Sequence, residues 1–159
     1  MTNPTAPILA VSDLTVQRGE ALILDKISWK IARGEHWVIL GANGSGKTSL
    51  LSALTGYLTP SAGRIELLSK TYGTADWREL RKRVGLVSSA VRQMIPDEEI
   101  MPVFTHVLIL QAGRAVAGGP KKAVLTSAAL SRAFHAPLRL ERRHRRYTLK
   151  LCQKIRGLM

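Results

Sequence analysis

The sequence has a single cysteine, Cys152. A disulfide within the chain is therefore excluded, which fits a reducing compartment. Cys152 itself reads as a small apolar residue in a terminal strand. No stretch reaches the roughly 18 apolar residues that a membrane-spanning helix needs. Met1 to Ala10 lacks a basic region followed by an apolar one, so no secretory signal is expected. Repeats are absent, and glycine and proline are near average usage, which excludes collagen-like and low-complexity classes. Acidic residues nearly vanish after residue 100: residues 101–159 hold 12 Lys/Arg against Glu141 alone. Aromatic residues are few, and Tyr147 is the one aromatic near the eight cations between Arg139 and Arg156. That basic tail reads as a solvated face, or as a surface for nucleic acid or anionic lipid; the missing aromatic platform counts against single-stranded nucleic acid.

What is present suits one domain of ordinary size, since 159 residues at 45% hydrophobic content can bury a core. Ile8 to Val16 reads as a strand. Leu22 to Leu24 and the alternating Ile27, Trp29 and Ile31 read as its antiparallel partner, with Arg18-Gly19-Glu20 as the turn. His36 to Leu40 is a short apolar run that suits a strand buried on both faces. Thr48 to Thr55 has apolar residues at helical spacing, and Gly56 is placed to end that helix. Arg64 to Leu68 is a short strand. Asp76 is placed to cap a helix from Trp77 to about Arg83, with Glu79 as its capping-box partner. Val84 to Ser88 is a further strand, and Arg92 to Pro102 is irregular. Phe104 to Leu110 and Arg114 to Ala117 read as strands joined by Gln111-Ala112-Gly113. Pro120 to Thr126 and Ser127 to His135 read as short helices, and Leu138 to Leu151 as a charged hairpin. Strands with intervening helices indicate an α/β class.

Between the apolar strand and the helix lies Gly41-Ala42-Asn43-Gly44-Ser45-Gly46-Lys47-Thr48. This is the pattern G-x-x-x-x-G-K-[ST]. Each position has a physical reason. The glycines let the backbone fold tightly, so that successive N–H groups face phosphate oxygens. The helix that follows offers its N-terminal N–H groups and dipole to anions. Lys47 supplies a compact positive charge for β- and γ-phosphates, and the Thr48 hydroxyl can ligate Mg²⁺. A chance match in a chain of this length arises roughly one time in 200, and the strand–loop–helix setting is the one the motif needs.

Residues 41–51, reading Gly-Ala-Asn-Gly-Ser-Gly-Lys-Thr-Ser-Leu-Leu, resemble the nucleotide-binding subunits of ABC-type ATPases, within the P-loop NTPase superfamily. Flanking text agrees: Leu24-Asp25-Lys26-Ile27-Ser28 before the loop, Gly56 to Gly63 after its helix, Arg81 to Ser88 on the approach to the Q-loop, and Phe104 to Pro120 in the late strand pair. The resemblance covers most of residues 8–148. It implies a P-loop NTPase-like three-layer sandwich with an N-terminal antiparallel β unit. It also implies nucleotide contacts from Gly41 through Ser49, and ATP with Mg²⁺ as ligands. Arg18 stands where the family stacks an aromatic residue on adenine, and a guanidinium plane can also stack on a base.

Departures accompany the likeness. Ser89 stands where the Q-loop glutamine is expected, and Gln93 falls four residues late. The signature text, the Walker B strand with its carboxylates and the switch histidine are not found. Glu98 and Glu99 read as solvated, and His106 as a core or edge histidine. The chain resembles an ABC ATPase with its middle excised. The resemblance therefore implies one truncated nucleotide-binding domain over 1–159, with a basic hairpin over 138–159 and an incomplete central sheet. Either His36 to Leu40 is left with an open edge, or Val84 to Ser88 pairs with it. Hydrolysis is expected to be weak or absent, and no catalytic residue is assigned. Partners implied are a nucleoside triphosphate, a membrane subunit or none, and a second copy; the location implied is cytoplasmic or peripheral to the inner face of the membrane. The alternative is a non-catalytic nucleotide-binding or interaction protein whose basic tail contacts nucleic acid or anionic surfaces.

Overall fold

A computed structural model of the chain describes residues 6–82, 99–100, 103–143 and 146–151. The expected strand at Val84 to Ser88, most of the irregular stretch 92–102, Ser89, Gln93, Glu98 and Cys152 lie outside the described residues.

The described residues form three small sheets. The first is antiparallel, in the order β2 (Ala21–Ile31), β1 (Leu9–Arg18), β4 (Ala62–Leu67), β5 (Lys70–Thr71). The expected antiparallel unit is thus present, and β4 joins its other edge. In β1 the inward residues are Leu9 and Val11, then Leu14 and Val16. The change of parity is a bulge at Asp13, whose φ is 47°. Lys26, also at φ 47°, makes the matching change in β2, so Leu24 faces inward and then Ile27 and Trp29 do. Without these bulges half of each strand would turn its apolar side chains to water.

The second sheet runs β3 (Trp37–Leu40), β7 (His106–Gln111), β8 (Arg114–Pro120). β3 and β7 are parallel, with Trp37 opposite His106 and Leu40 opposite Ile109. β7 is the strand buried on both faces. Leu108 and Leu110 pack into one core with β1, β2, β4 and helix α1 (Lys47–Leu54), and Val107 and Ile109 into a second core with helix α4 (Ser127–Phe134). β3 likewise faces both cores, as expected for residues 36–40, with Trp37 and Ile39 against the first and Val38 and Leu40 against the second. It is only half-buried, since among the described strands β7 alone pairs with it.

The third sheet is β6 (Glu99–Ile100), β10 (Arg146–Leu151), β9 (Leu138–Arg143). The expected C-terminal hairpin forms, with Leu138 opposite Leu151 and Leu140 opposite Leu149. Leu138, Leu140, Leu149 and Tyr147 pack on the second core. The arrangement is an α/β sandwich with an incomplete central sheet, as the sequence implied. Helix α2 (Trp77–Arg81) is capped by Asp76, whose Oδ1 accepts from Arg78 N–H at 3.0 Å and Glu79 N–H at 3.3 Å. The reciprocal half of the box is absent: Glu79 turns to Lys82 instead, at 2.6 Å. The two short helices after β8 are α3 (Lys121–Val124) and α4.

Candidate functional site

The phosphate loop leaves the C-terminal end of β3 and enters α1, the setting the motif requires. Gly41 is buried against β7, and a Cβ there would lie 2.4 Å from the Leu110 carbonyl oxygen and 2.5 Å from Ser45 Oγ. The loop passes this close to the sheet because position 41 has no side chain. Ser45 is buried, and its N–H donates to the Ala42 carbonyl at 3.1 Å, which folds the loop back on itself. Asn43 and Gly44 form the exposed crest. Gly46, at φ 99°, is the N-cap residue of α1, and its carbonyl accepts from Leu50 N–H at 2.8 Å. No side chain caps this helix and its first turn has no acidic residue. Among the described residues no carboxylate uses its leading N–H groups, which is the condition for anion binding at a helix start.

The Lys47 ammonium curls into the loop. It donates to the carbonyls of Gly41 and Ala42, each at 2.7 Å, and lies 3.5 Å from Ser45 Oγ. These bonds place its charge at the mouth of the loop, where a phosphate oxygen can receive a bond that is charge-assisted at both ends. Thr48 is exposed, and Ser49 half-buried behind it. The donor set of backbone amides, one ammonium and one hydroxyl fits a polyphosphate with a divalent cation. For the cation the described residues supply Thr48, and no group of three or more His, Cys, Asp or Glu able to hold a metal is found among them.

Arg18, the expected base-stacking residue, ends β1. Its Nη1 donates to the Gln17 carbonyl and its Nη2 to the Thr59 carbonyl, both at 2.8 Å. The guanidinium is thereby fixed to the segment after α1, and no described hydrogen bond joins it to residues 41–49. His106, expected as a core or edge histidine, begins the middle strand β7 and is half-buried. It stacks on Trp37 at 4.9 Å, its Nδ1 is 2.8 Å from Thr105 Oγ1, and its Nε2 is 3.4 Å from Glu35 Oε1. This cluster lies at the start of β3, at the opposite end from the loop. Glu35 is held below the usual carboxylate value by the Trp37 indole N–H first, then by the Ala32 N–H, with the His106 charge adding to both.

The sequence reading missed the supports beneath the loop. Gly113, in the β7–β8 turn, donates its N–H to the Ser45 carbonyl at 3.1 Å, and Asp25 N–H donates to the Gly113 carbonyl at 2.9 Å. Asp25 and Gly113 were visible as breaks in apolar runs, but their meeting is a tertiary event.

Residues 24–147 match the protein family described as ABC transporter. A putative ABC transporter ATP-binding protein of Streptococcus mutans is 33% identical over 89 residues, covering 56% of this chain and 34% of that protein. The uncharacterized ABC transporter ATP-binding protein YlmA of Bacillus subtilis is 38% identical over 89 residues, 55% of this chain and 34% of that one. The chain thus spans about a third of the length of these curated relatives. Among solved structures, cbiO1 from Clostridium perfringens superposes with a TM-score of 0.60 at 18% identity, over 79% of this chain and 93% of that one. A bacterial Atm1-family ABC exporter with ATP bound gives 0.61 at 13% identity, over 75% and 39%. At these identities the structures speak for the fold alone. The family match covers most of the chain and includes the whole phosphate loop: this chain belongs to the ABC transporter family.

Proposed function

We propose that this chain binds Mg·ATP through Gly41 to Ser49 and hydrolyses it weakly or not at all. The observation that carries the reading is the loop itself: it is pressed onto the sheet at Gly41, opens a helix without a competing acidic cap, and holds the Lys47 ammonium at its mouth. The names of the relatives support it, since they are ATP-binding proteins of ABC transporters. In this reading the backbone amides and Lys47 bind the β- and γ-phosphates, and Thr48 ligates Mg²⁺. Mg²⁺ supplies charge compensation when bound. Arg18 is the candidate for stacking on the base, and its anchoring at Thr59 means that it must do so in its present position or give up two hydrogen bonds.

Turnover needs more than this. A phosphoryl-transfer site positions a water and neutralises developing charge with further groups, and the chain has no Walker B text to supply them. Phosphate release should therefore be the same in wild type and in Lys47→Ala under saturating nucleotide. Turnover lost in Lys47→Ala would make the protein an enzyme and overturn the non-catalytic part of the reading. Because this chain carries no signature text, a second nucleotide-binding subunit that does carry it would then have to complete the site.

A second reading rests on the C-terminal hairpin. Arg139 stands opposite Lys150 on one exposed face, with Glu141, paired to Lys150 at 2.8 Å, as the acid among them. Such a face suits a nucleic-acid backbone. It predicts salt-sensitive DNA or RNA binding that survives Lys47→Ala and is lost in Arg139→Glu; binding unaffected by Arg139→Glu would sink it.

A further inference from the structure

We propose that Asp25 and Arg114 form a clasp that positions the phosphate loop from beneath; the proposal rests on the reading of that loop as a nucleotide site.

The loop stands on a stack of backbone. Ser45 lies over Gly113, joined by the Gly113 N–H to Ser45 carbonyl bond, and Gly113 lies over β2, joined by the Asp25 N–H to Gly113 carbonyl bond. The layers are as close as backbone allows. A Cβ on Gly113 would meet the Ile23 carbonyl oxygen at 2.4 Å, and a Cβ on Gly46 would meet Leu24 Cδ2 at 2.8 Å and Gly113 Cα at 3.5 Å. Ala112 takes φ 46° and Gly113 φ 75° to bring the turn into this space. A non-glycine residue at positive φ costs conformational energy and persists where its surroundings enforce it.

One side-chain pair closes the stack. Asp25 Oδ2 receives both Arg114 Nε, at 2.7 Å, and Arg114 Nη2, at 2.5 Å. The carboxylate is mostly buried, at 17% exposure, while the arginine lies along the surface at 70%. The pair joins the residue after Gly113 to the residue that donates to Gly113, so it fastens the two ends of the same backbone contact. An exposed ion pair adds little to global stability. Its leverage is local: releasing the turn lets Ser45 move, and with it the loop amides and the Lys47 ammonium that lies near Ser45 Oγ. Small misplacements of such donors weaken binding without unfolding the protein. Arg114 and Asp25 are thus positioning residues and touch no ligand.

The test uses the full chain and three variants, Arg114→Ala, Arg114→Lys and Asp25→Asn. Mg·ATP affinity is measured by calorimetry, unfolding by thermal melting, and amide hydrogen exchange at Ser45 and Gly113 in nucleotide-free protein. Arg114→Ala is expected to weaken ATP binding roughly threefold to fivefold, the scale of one charge-assisted pair. Exchange at Gly113 should accelerate by a similar factor, with the melting midpoint within about 2 °C of wild type. Arg114→Lys should recover most of both effects, and Asp25→Asn should resemble Arg114→Ala. Wild-type exchange and affinity in Arg114→Ala would overturn the clasp, as would losses that follow the melting midpoint and are not restored by lysine. If wild type itself binds no ATP, the nucleotide reading fails by itself, and the exchange rates at Gly113 still decide for or against the clasp.

Discussion

The two ends of β3 are built from different materials. At its start, side chains do the fastening: Trp37 packs edge-on against Trp29 at 5.3 Å and stacks on His106, and Glu35 ties Trp37 to Ala32 at 2.9 and 2.8 Å. At its end, backbone does most of it: Gly41 lies against the Leu110 carbonyl and Ser45 against Gly113, with the Asp25–Arg114 pair as the side-chain fastening beneath. The first end holds β3 to β7 by apolar and aromatic contact, which resists unfolding. The second gathers backbone amides and one ammonium at the mouth of the loop, which favours an anion. One strand thus has an anchored end and a receptive end, and the fold uses the first to hold the second still.

The comparison breaks most visibly at Trp37. Trp37→Ala removes the stack and the indole donor to Glu35, and should cost about 2–3 kcal/mol in urea unfolding. Mg·ATP affinity of the folded fraction should stay within about twofold, because the loop is at the other end. Gly41→Ala tests the receptive end. Its Cβ would collide with the Leu110 carbonyl, so we expect a loss of about 2 kcal/mol by overpacking, together with loss of ATP heat in calorimetry. Thr48→Val is subtler. The fold should be unchanged, while the gain in ATP affinity on adding Mg²⁺ should shrink about fivefold; an unchanged Mg²⁺ dependence would remove Thr48 from the metal's ligands.

The smallest effect is a pH dependence confined to the anchored end. The bonds from Trp37 and Ala32 favour the charged form of Glu35, so its folded pKa lies below the ordinary 4.5. Its contribution is complete above that value and fades as pH falls through the lowered one. Thermal melts of Glu35→Gln should therefore fall slightly below wild type near neutral pH, and the gap should close as pH drops through the lowered Glu35 value.

Much of the receptive end was legible in sequence, and little of the anchored end was. The loop motif, its strand and its helix are contiguous, so text and structure coincide over residues 37–54. The β1–β2 unit and the hairpins β7–β8 and β9–β10 were legible for the same reason: short connections make neighbours of consecutive strands. Pairing of β3 with β7 across a separation of 69 positions from His36 to Thr105 was not. Nor was the burial of β7 on both faces, because Trp37 to Leu40 and Val107 to Leu110 are equally apolar as text and differ in which neighbours they acquire. Glu79 was misjudged as a box partner because Lys82, three residues on, offers it a full charge. Gly113 beneath Ser45 could not be read at all, since a turn glycine looks the same whether it faces solvent or a loop from another part of the chain.

The central claim, that the loop after Leu40 receives a triphosphate, is tested most directly by calorimetric titration of the folded protein with Mg·ATP beside Lys47→Ala. Saturable heat in wild type, lost or weakened at least tenfold in the variant, is the predicted result. Folded wild-type protein that gives no heat with excess nucleotide, or a Lys47→Ala protein that binds equally well, contradicts it.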